Sequence, residues 1–342
     1  MEFKIGLIGK GVVGTCFLQL LNEMKNDIAQ KYDASCKVIA VFKSDGALIA
    51  KEGLDLEEVI KNFNSLKISK LWHMNAKATD FISQLGLNIC IETTPTNSTD
   101  GEPALKHIVE ALNNNIDVIS SNKAPFYLEY EKIKNLAIQN KCFVRYEATV
   151  GSSIPILSIK ENLLGTLIVG IKAILNGTNN YILSRMTSES IPFSIALKES
   201  QELGYAEADP SLDIEGFDAA GKLVIIANEL LGRSYKIGDV QIEGISKITT
   251  QAIELAKLDG YVIKHLAIVE GEGIYVEPRL IKKDSALNVG GTSNIIEIET
   301  KHIGSLYLTG NGAGGYEAAS AILNDLLYII RERQKILYED VS

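Results

Sequence analysis

The sequence predicts an α/β chain in two parts. A doubly wound parallel sheet is expected over residues 1–150, rejoined by the C-terminal segment 315–342, and an α+β part with a mostly antiparallel sheet over 151–314. Three observations carry this reading. A short apolar run at 3–8 leads into a glycine-rich turn and a helical pattern, and strand and helix then alternate to about residue 146. Beyond Gly151 the alternation is lost.

The first element is a buried strand at 3–8, followed by Gly9-Lys10-Gly11-Val12-Val13-Gly14 and then by Phe17, Leu18, Leu21 and Met24 on one helix face. A G-x-G-x-x-G between strand and helix suits the pyrophosphate of a dinucleotide. Gly9 makes the tight turn, Gly11 lets the ligand approach the backbone and Gly14 lets helix and strand pack closely. The helix N-terminus, with Val12 and Val13, faces the phosphates. The first part is therefore expected to be a Rossmann nucleotide-binding domain.

A second strand is expected at 37–42. An NAD site places an acid near the end of this strand, to hold the ribose hydroxyls. Here Phe42-Lys43-Ser44 occupies that place. A lysine and a hydroxyl there favour the 2′-phosphate of NADP(H), and Lys51, after a short link at 46–50, adds a second positive charge. NAD(H) stays open, because Asp45 takes the acid's role if the strand ends later.

A charged helix follows at 55–63, and the stretch 64–80 shows no clear period. Then come a strand at 87–91 running into Glu92-Thr93-Thr94-Pro95, a helix at 103–113, a strand at 117–120, a helix at 127–140 and a strand at 142–146. Ligands of such sheets bind outside the carboxyl ends of the strands, where Thr93, Thr94, Ser121, Asn122 and Lys123 fall. Lys123 is either a solvated loop charge or a group facing a substrate oxygen or carboxylate beside the nicotinamide.

In the second part, apolar strands are expected at 168–175, 239–245, 262–269, 274–281, 295–299 and 306–309, mixed with helices. Gly310-Asn311-Gly312-Ala313-Gly314-Gly315 opens a last helix from about 316 past 330. That turn is either a plain connection or a wall of the cofactor cleft, on a helix that returns to the first domain.

The block from Gly204 to Lys222 is the densest in chemistry. It holds five carboxylates, Glu207, Asp209, Asp213, Glu215 and Asp218, and ends on one lysine. Asp213 is expected as the N-cap of a helix from 214 to a stop at Gly232, with Phe217, Leu223, Ile226 and Leu230 on its apolar face. Asp218 and Lys222 then share a helix face in the favourable acid-before-base order. The block is either a solvated acidic surface or a site for a charged substrate.

Bulk properties agree with a globular enzyme of the cytoplasm. The chain has 342 residues, 46% hydrophobic and 23% charged, near globular averages. Its net charge of −9 argues against nucleic-acid and anionic membrane partners. No apolar run has the length of a membrane span, and the N-terminus enters a strand without a signal peptide. Cys16, Cys36, Cys90 and Cys142 are scattered, as expected for free thiols in a reducing compartment.

Taken together, the motifs resemble those of homoserine dehydrogenases over nearly the whole chain. The landmarks are Gly9-x-Gly11-x-Val13-Gly14, Ser121-Asn122-Lys123, Glu147-Ala148-Thr149-Val150-Gly151, Asn176-Gly177-Thr178-x-Asn180-Tyr181, the 204–222 block with Tyr205, and Gly310-x-Gly312-Ala313-Gly314. The resemblance implies NAD(P)-dependent interconversion of L-homoserine and L-aspartate 4-semialdehyde. It implies Lys222 as the proton donor and acceptor at the substrate oxygen and Lys123 as a second lysine beside substrate and nicotinamide. Glu207 and Asp218 become the carboxylates for the substrate ammonium, with Asp213, Asn176, Gly177, Thr178 and Tyr205 around them. Gly312 joins the cofactor side.

Family members also hold a monovalent cation, Na+ or K+, near Glu147, Val150, Ser152 and Ile154. Here Ser152-Ser153 replaces a small-residue pair that often includes glycine, which leaves cation binding open. A Pro-Thr common after the last glycine motif is replaced by Tyr316-Glu317-Ala318-Ala319. The chain as given stops soon after the last helix, so the catalytic-core type without an ACT domain is expected. A homodimer is expected through the second-domain sheet. Two further readings stay open: a related dehydrogenase of another small amino-acid aldehyde or alcohol, and a non-catalytic NAD(P)-binding protein.

Overall fold

The computed structural model describes residues 1–62 and 66–341. Contacts divide it into two units, one made of Met1–Thr149 with the segment from Gly314, the other of Val150–Ala313.

The first unit begins with β1 (Glu2–Ile8), α1 (Val12–Tyr32) and β2 (Ser35–Lys43). Phe3, Ile5 and Leu7 are buried on one face of β1 and Gly6 and Ile8 on the other, as a parallel strand covered on both sides requires. Next come β3 (Gly46–Ile49), α2 (Leu56–Lys61), β4 (Trp72–Met74) and α3 (Ala78–Phe81). Asp55 caps α2, its carboxylate accepting from Glu57 and Glu58 N–H at 2.9 and 3.1 Å. The unit continues with β5 (Ile89–Glu92), α4 (Ala104–Asn113), β6 (Asp117–Ser120), α5 (Ala124–Leu128), α6 (Tyr130–Gln139) and β7 (Val144–Arg145).

The sheet order is β4-β3-β2-β1-β5-β6-β7. From β2 to β7 it is parallel, while β3 and β4 join as antiparallel strands at one edge. Residues 46–49 of the expected link are thus a strand. β3 folds straight back on β2, pairing Gly46 with Lys43, and Gly46 takes φ 153° to make that reversal. The helix expected over 127–140 is broken at Glu129, whose φ of −133° leaves helical space. Pro125 opens the earlier turn, at a first-turn position where its missing N–H costs nothing. Phe63, the expected end of the second helix, lies outside the described residues. Leu66–Ile68, β4 and α3 fall in the stretch where the sequence shows no period.

The second unit contains β8 (Ile168–Ile174), α7 (Gly177–Glu189), α8 (Phe193–Glu202), α9 (Ser211–Ile214), α10 (Phe217–Leu231), β9 (Gln241–Ile242) and α11 (Thr250–Leu258). β10 (Tyr261–Glu270), β11 (Gly273–Lys282), β12 (Ser293–Thr300) and β13 (Gly304–Asn311) complete it. The sheet order β13-β12-β8-β10-β11-β9 is antiparallel except for the short pairing of β9 with β11. The strand expected over 239–245 shrinks to two residues, because residues 237–239 turn as a 3-10 helix first.

The sequence expectation for the start of α10 is corrected. Asp213 lies inside α9 and does not cap α10. That role falls to Gly216, held at φ 90°. Phe217 is exposed, and the stretch from Ala219 to Asn228 is buried all round, as a helix crossing a core must be. The stop at Gly232 is as expected, with φ 63°.

The last helix, α12 (Gly315–Val341), belongs to the first unit and packs along α1. A Cβ on Gly315 would lie 2.6 Å from Val12 and 3.1 Å from Cys16, so a glycine is needed where the two helices meet. Two buried acids fix α12 in place. Asp325 accepts from Arg145 Nε at 3.1 Å and from Glu147 N–H at 3.0 Å, and Arg333 donates to Asp117 at 2.8 Å. Among the described residues no helix is long and apolar enough to cross a membrane.

Candidate active site

In the first unit the sequence-selected residues meet along one sheet edge. Ile8 pairs with Phe42 and with Glu92, and Glu92 pairs with Ser120, so β1, β2, β5 and β6 end in register. Gly9 turns away at φ 94°, donating to Phe42 O at 3.0 Å. A Cβ there would lie 2.7 Å from the Thr93 backbone, and one on Gly14 only 2.2 Å from Gly9 O. A Cβ on Gly11, in contrast, would meet nothing within 4 Å. The first and third glycines are thus needed for packing, and the second leaves room beside the backbone. That is the division of labour a pyrophosphate requires.

Thr93 serves the turn itself. It is buried, and its hydroxyl lies 2.6 Å from Gly9 O and 3.0 Å from Ile8 O. Asn122 is also buried. Its amide donates to Thr94 O and Pro95 O at 3.0 and 3.1 Å, and its Oδ1 accepts from Ala124 N–H at 3.2 Å. Ser121, Lys123 and Thr94 are half-buried at the same edge, with Val13 on the first turn of α1 and Val12 exposed beside it.

Lys43 is the last residue of β2 and half-buried. Asp45 is engaged by Lys67 at 2.6 Å, a partner in the stretch the sequence left unassigned. Lys51 is exposed on the turn after β3. One residue the sequence reading passed over is Lys10, the variable position of the glycine motif. It is buried, and its ammonium is pushed down to about 8, first by burial and then by the nearby charge of Lys43. A lysine spelled between two motif glycines was the available signal.

In the second unit a connected polar cluster joins α7, α9 and α10. Lys222 is buried, its ammonium donating to Leu175 O at 2.8 Å and lying 2.8 Å from Asp218 Oδ2. Asn176 caps α7 through Oδ1, which accepts from Asn179 N–H at 2.9 Å. Its amide donates to Asp213 Oδ1 at 2.6 Å and to Asp218 Oδ2 at 3.0 Å. One amide therefore holds two carboxylates together, and one of them holds the lysine. The cluster carries two negative charges against one positive, which suits a cationic ligand group.

Around it, Thr178 donates to Tyr205 O at 2.8 Å, and the Tyr205 ring lies 5.0 Å from that of Tyr181. Gly177 is tight, since a Cβ would fall 2.8 Å from Thr292 O. Asn179 donates to Asp213 O at 2.7 Å and meets His265 Nδ1 at 2.9 Å. Glu207 stands apart from these bonds. It is exposed, and its carbonyl accepts from Gln201 at 3.1 Å. Gly312 packs under Asn294, whose amide would overlap any Cβ there.

Glu147 is buried at the end of the first unit, and Val150, Ser152 and Ile154 open the second. Among the described residues no three His, Cys, Asp or Glu side chains gather to hold a metal. All four cysteines are free, and burial raises each thiol, that of Cys36 to about 12.

A chain that carries a glycine turn at the head of a parallel sheet and, in its other unit, a buried lysine–carboxylate cluster has the make-up of a nicotinamide-dependent oxidoreductase. A family model described as homoserine dehydrogenase matches residues 155–327. The homoserine dehydrogenase of Methanocaldococcus jannaschii is 39% identical, over 96% of this chain and 99% of its own. An NAD(+)-dependent homoserine dehydrogenase of Pseudomonas canavaninivorans is 33% identical, covering 96% of each. The structure of a putative homoserine dehydrogenase from Archaeoglobus fulgidus superposes with a TM-score of 0.89 at 38% identity, covering 96% of this chain and 99% of that one. A hyperthermophilic archaeal homoserine dehydrogenase in complex with NADPH gives 0.83 at 26% identity, covering 97% and 98%.

The chain belongs to the homoserine dehydrogenase family. Its activity is the NAD(P)-dependent interconversion of L-homoserine and L-aspartate 4-semialdehyde, a step of amino-acid biosynthesis.

Proposed function

We propose that Lys222 moves the proton at the substrate oxygen and that Asp218, Asp213 and Glu207 form the acidic side of the substrate site. The observation that carries this is the cluster in which Asn176 ties Asp213 to Asp218 and Asp218 ties down Lys222. A nicotinamide dinucleotide held at the glycine turn Gly9–Gly14 would supply the hydride and take it back. Lys222, held on two sides by Leu175 O and Asp218, supplies the proton to the oxygen on aldehyde reduction and receives it on alcohol oxidation. Asn176, Gly177, Thr178 and Tyr205 shape the pocket at the first turn of α7. Lys123, just past the end of β6, is the second lysine of the reaction, at the nicotinamide end of the first unit's sheet edge.

Gly9, Gly11, Val12, Val13 and Gly14 cradle the pyrophosphate. Thr94, Ser121 and Asn122 border the nicotinamide. NADP(H) is the preferred cofactor. Lys43 ends β2, Lys10 brings a second ammonium beside it, and the ion pair with Lys67 engages Asp45. Lys51, expected to add a second charge there, is not in this group: β3 runs back along β2 from the Gly46–Lys43 pair, which carries Lys51 past the Ile39 level and away from Lys43. A monovalent cation, Na+ or K+, is held through carbonyl oxygens of Glu147, Val150, Ser152 and Ile154.

The working form is a homodimer in the cytoplasm. β13 ends its sheet and exposes residues along its length, including Tyr307, and such an edge calls for cover. Sedimentation at micromolar concentration tests this, and a monomer alone rejects it. The chemistry is tested by following NADPH and NADH oxidation with L-aspartate 4-semialdehyde and with other short amino-acid aldehydes. Turnover confined to the first substrate supports the assignment. Equal turnover of the others removes the acidic pocket's role in selection.

A further inference from the structure

The carboxyl end of β5 carries a buried acid that none of the roles above uses. Glu92 is 0% exposed. An acid so placed persists only if its charge is met by donors. One oxygen, Oε1, accepts from Thr94 N–H at 2.6 Å and also from the Thr94 hydroxyl. The other, Oε2, lies 2.6 Å from Nδ1 of His107, a residue 7% exposed on α4.

The bonds run in one direction. A carboxylate accepts only, so His107 donates from Nδ1 and Thr94 gives its single hydroxyl hydrogen to Glu92. The Thr94 oxygen is left to accept, and Asn122 Nδ2 lies 3.3 Å from it while also donating to Thr94 O and Pro95 O. With its amide so turned, Asn122 presents Oδ1 to Ala124 N–H at 3.2 Å. Asn122 and Ala124 are the two neighbours of Lys123. A second link runs through the backbone, where Ser121 N–H donates to Glu92 O at 3.0 Å.

We infer that Glu92 and His107 are positioning residues. As a buried pair they lock the loops after β5 and β6 in one hydrogen-bond orientation and so fix Lys123 and the nicotinamide end of the cofactor site. This rests on the reading of that edge as the nicotinamide end. Without the pair, the donors of Thr94 and the amide of Asn122 can reorganise, and Lys123 loses its fixed flanks. The glycine turn after β1 has anchors of its own, Phe42 O on one side and, on the other, Thr93, whose N–H donates to Ile8 O at 2.8 Å and whose hydroxyl donates to Gly9 O at 2.6 Å. None of these bonds uses the Glu92 carboxylate or His107, so the adenosine and pyrophosphate end should be much less affected.

The test separates the two ends of the cofactor. The 2′-phosphorylated form of ADP-ribose, which matches NADPH but lacks the nicotinamide, and NADPH itself are titrated into the wild type, Glu92→Met, Glu92→Gln and His107→Leu, and kcat is measured for each. In Glu92→Met and His107→Leu, kcat should fall roughly ten- to a hundred-fold, the usual effect of misplacing a reacting constellation. NADPH affinity should weaken, and affinity for the phosphorylated ADP-ribose should hold within about two-fold.

Glu92→Gln should recover most of the loss. A glutamine keeps an acceptor for Thr94, and His107 can switch tautomer to accept from the new amide. Parallel losses of phosphorylated ADP-ribose and NADPH binding would mean a general structural role and overturn the proposal, as would an unchanged kcat in both severe variants. If Glu92→Met does not fold, His107→Leu decides by the same criteria. Wild type that fails to bind the phosphorylated ADP-ribose counts against the dinucleotide reading itself, a separate outcome.

Discussion

Asp218 Oδ2 sits 2.8 Å from Lys222 Nζ, and the same oxygen accepts from Asn176 Nδ2 at 3.0 Å. The acid is therefore committed to the lysine and to the amide before any substrate arrives. This single relationship separates the expected effects of mutations that the sequence alone would treat alike.

Lys222→Ala removes the proposed proton carrier. Turnover should drop by roughly 10²–10⁴-fold, the range for losing a positioned acid–base group. NADPH affinity should change little, since the lysine lies in the second unit. Steady-state kinetics with a cofactor titration checks both, and near wild-type turnover takes Lys222 out of the mechanism.

Asp218→Asn and Glu207→Ala should part company. The asparagine turns an N–H toward either Lys222 or Asn176, so kcat should fall more than KM rises. Glu207 is exposed and outside the cluster, so its loss should raise KM for homoserine by roughly ten- to a hundred-fold with kcat nearly kept, the worth of one charge-assisted bond. Equal kcat losses in the two variants would show that Glu207 also holds the lysine.

Cofactor choice turns on Lys43 and Lys10. Lys43→Asp should reverse a preference for NADPH of about ten-fold or more, by removing an attraction and adding a repulsion. The Lys10 ammonium titrates at about 8, so it is charged below that pH and neutral above it. The advantage of NADPH over NADH should therefore shrink as pH rises through about 8, and Lys10→Met should flatten that dependence. Affinities measured from pH 7 to 9 decide it, and a pH-independent ratio would leave Lys10 a bystander.

Acid stability should depend on His265. Its Nε2 lies 2.9 Å from Glu243 O, and its Nδ1 must accept from the Asn179 amide at 2.9 Å, so the neutral ring is the one that fits. Burial pushes its pKa down from 6.5 to about 4. The unfolded chain takes up the proton first, so stability is full above about 6.5 and is lost as pH falls toward 4, on the order of 3 kcal/mol. Denaturant unfolding of the wild type and His265→Gln across pH 4–7 should show the variant with the shallower decline.

The first unit was legible because its signals are local. A glycine turn between a strand and a helix reports itself through spacing, and β1, α1 and β6 fall at or close to their expected places; in the second unit the stop at Gly232 is local in the same way. What escaped depended on partners distant in sequence. β3 reads as a link until it pairs with β2, and Asp213 reads as a helix cap until Asn176, 37 residues earlier, claims it. The Glu92–His107 pair is likewise invisible to periodicity, since nothing in a strand-end acid announces a histidine on the next helix.

The placement of α12 on α1 has a consequence for how the molecule is made. On the ribosome, the chain from Val150 to Ala313 emerges between the two segments that share the first unit's core. Throughout that interval the apolar flank of α1 that later receives Ala319, Ile322 and Leu326 has no cover from its own helix. The second unit can thus close during synthesis, while the nucleotide-binding fold waits for α12 to follow it out. A nascent chain stalled before Gly315 would release a finished substrate unit joined to a half-built one, a natural client for chaperones.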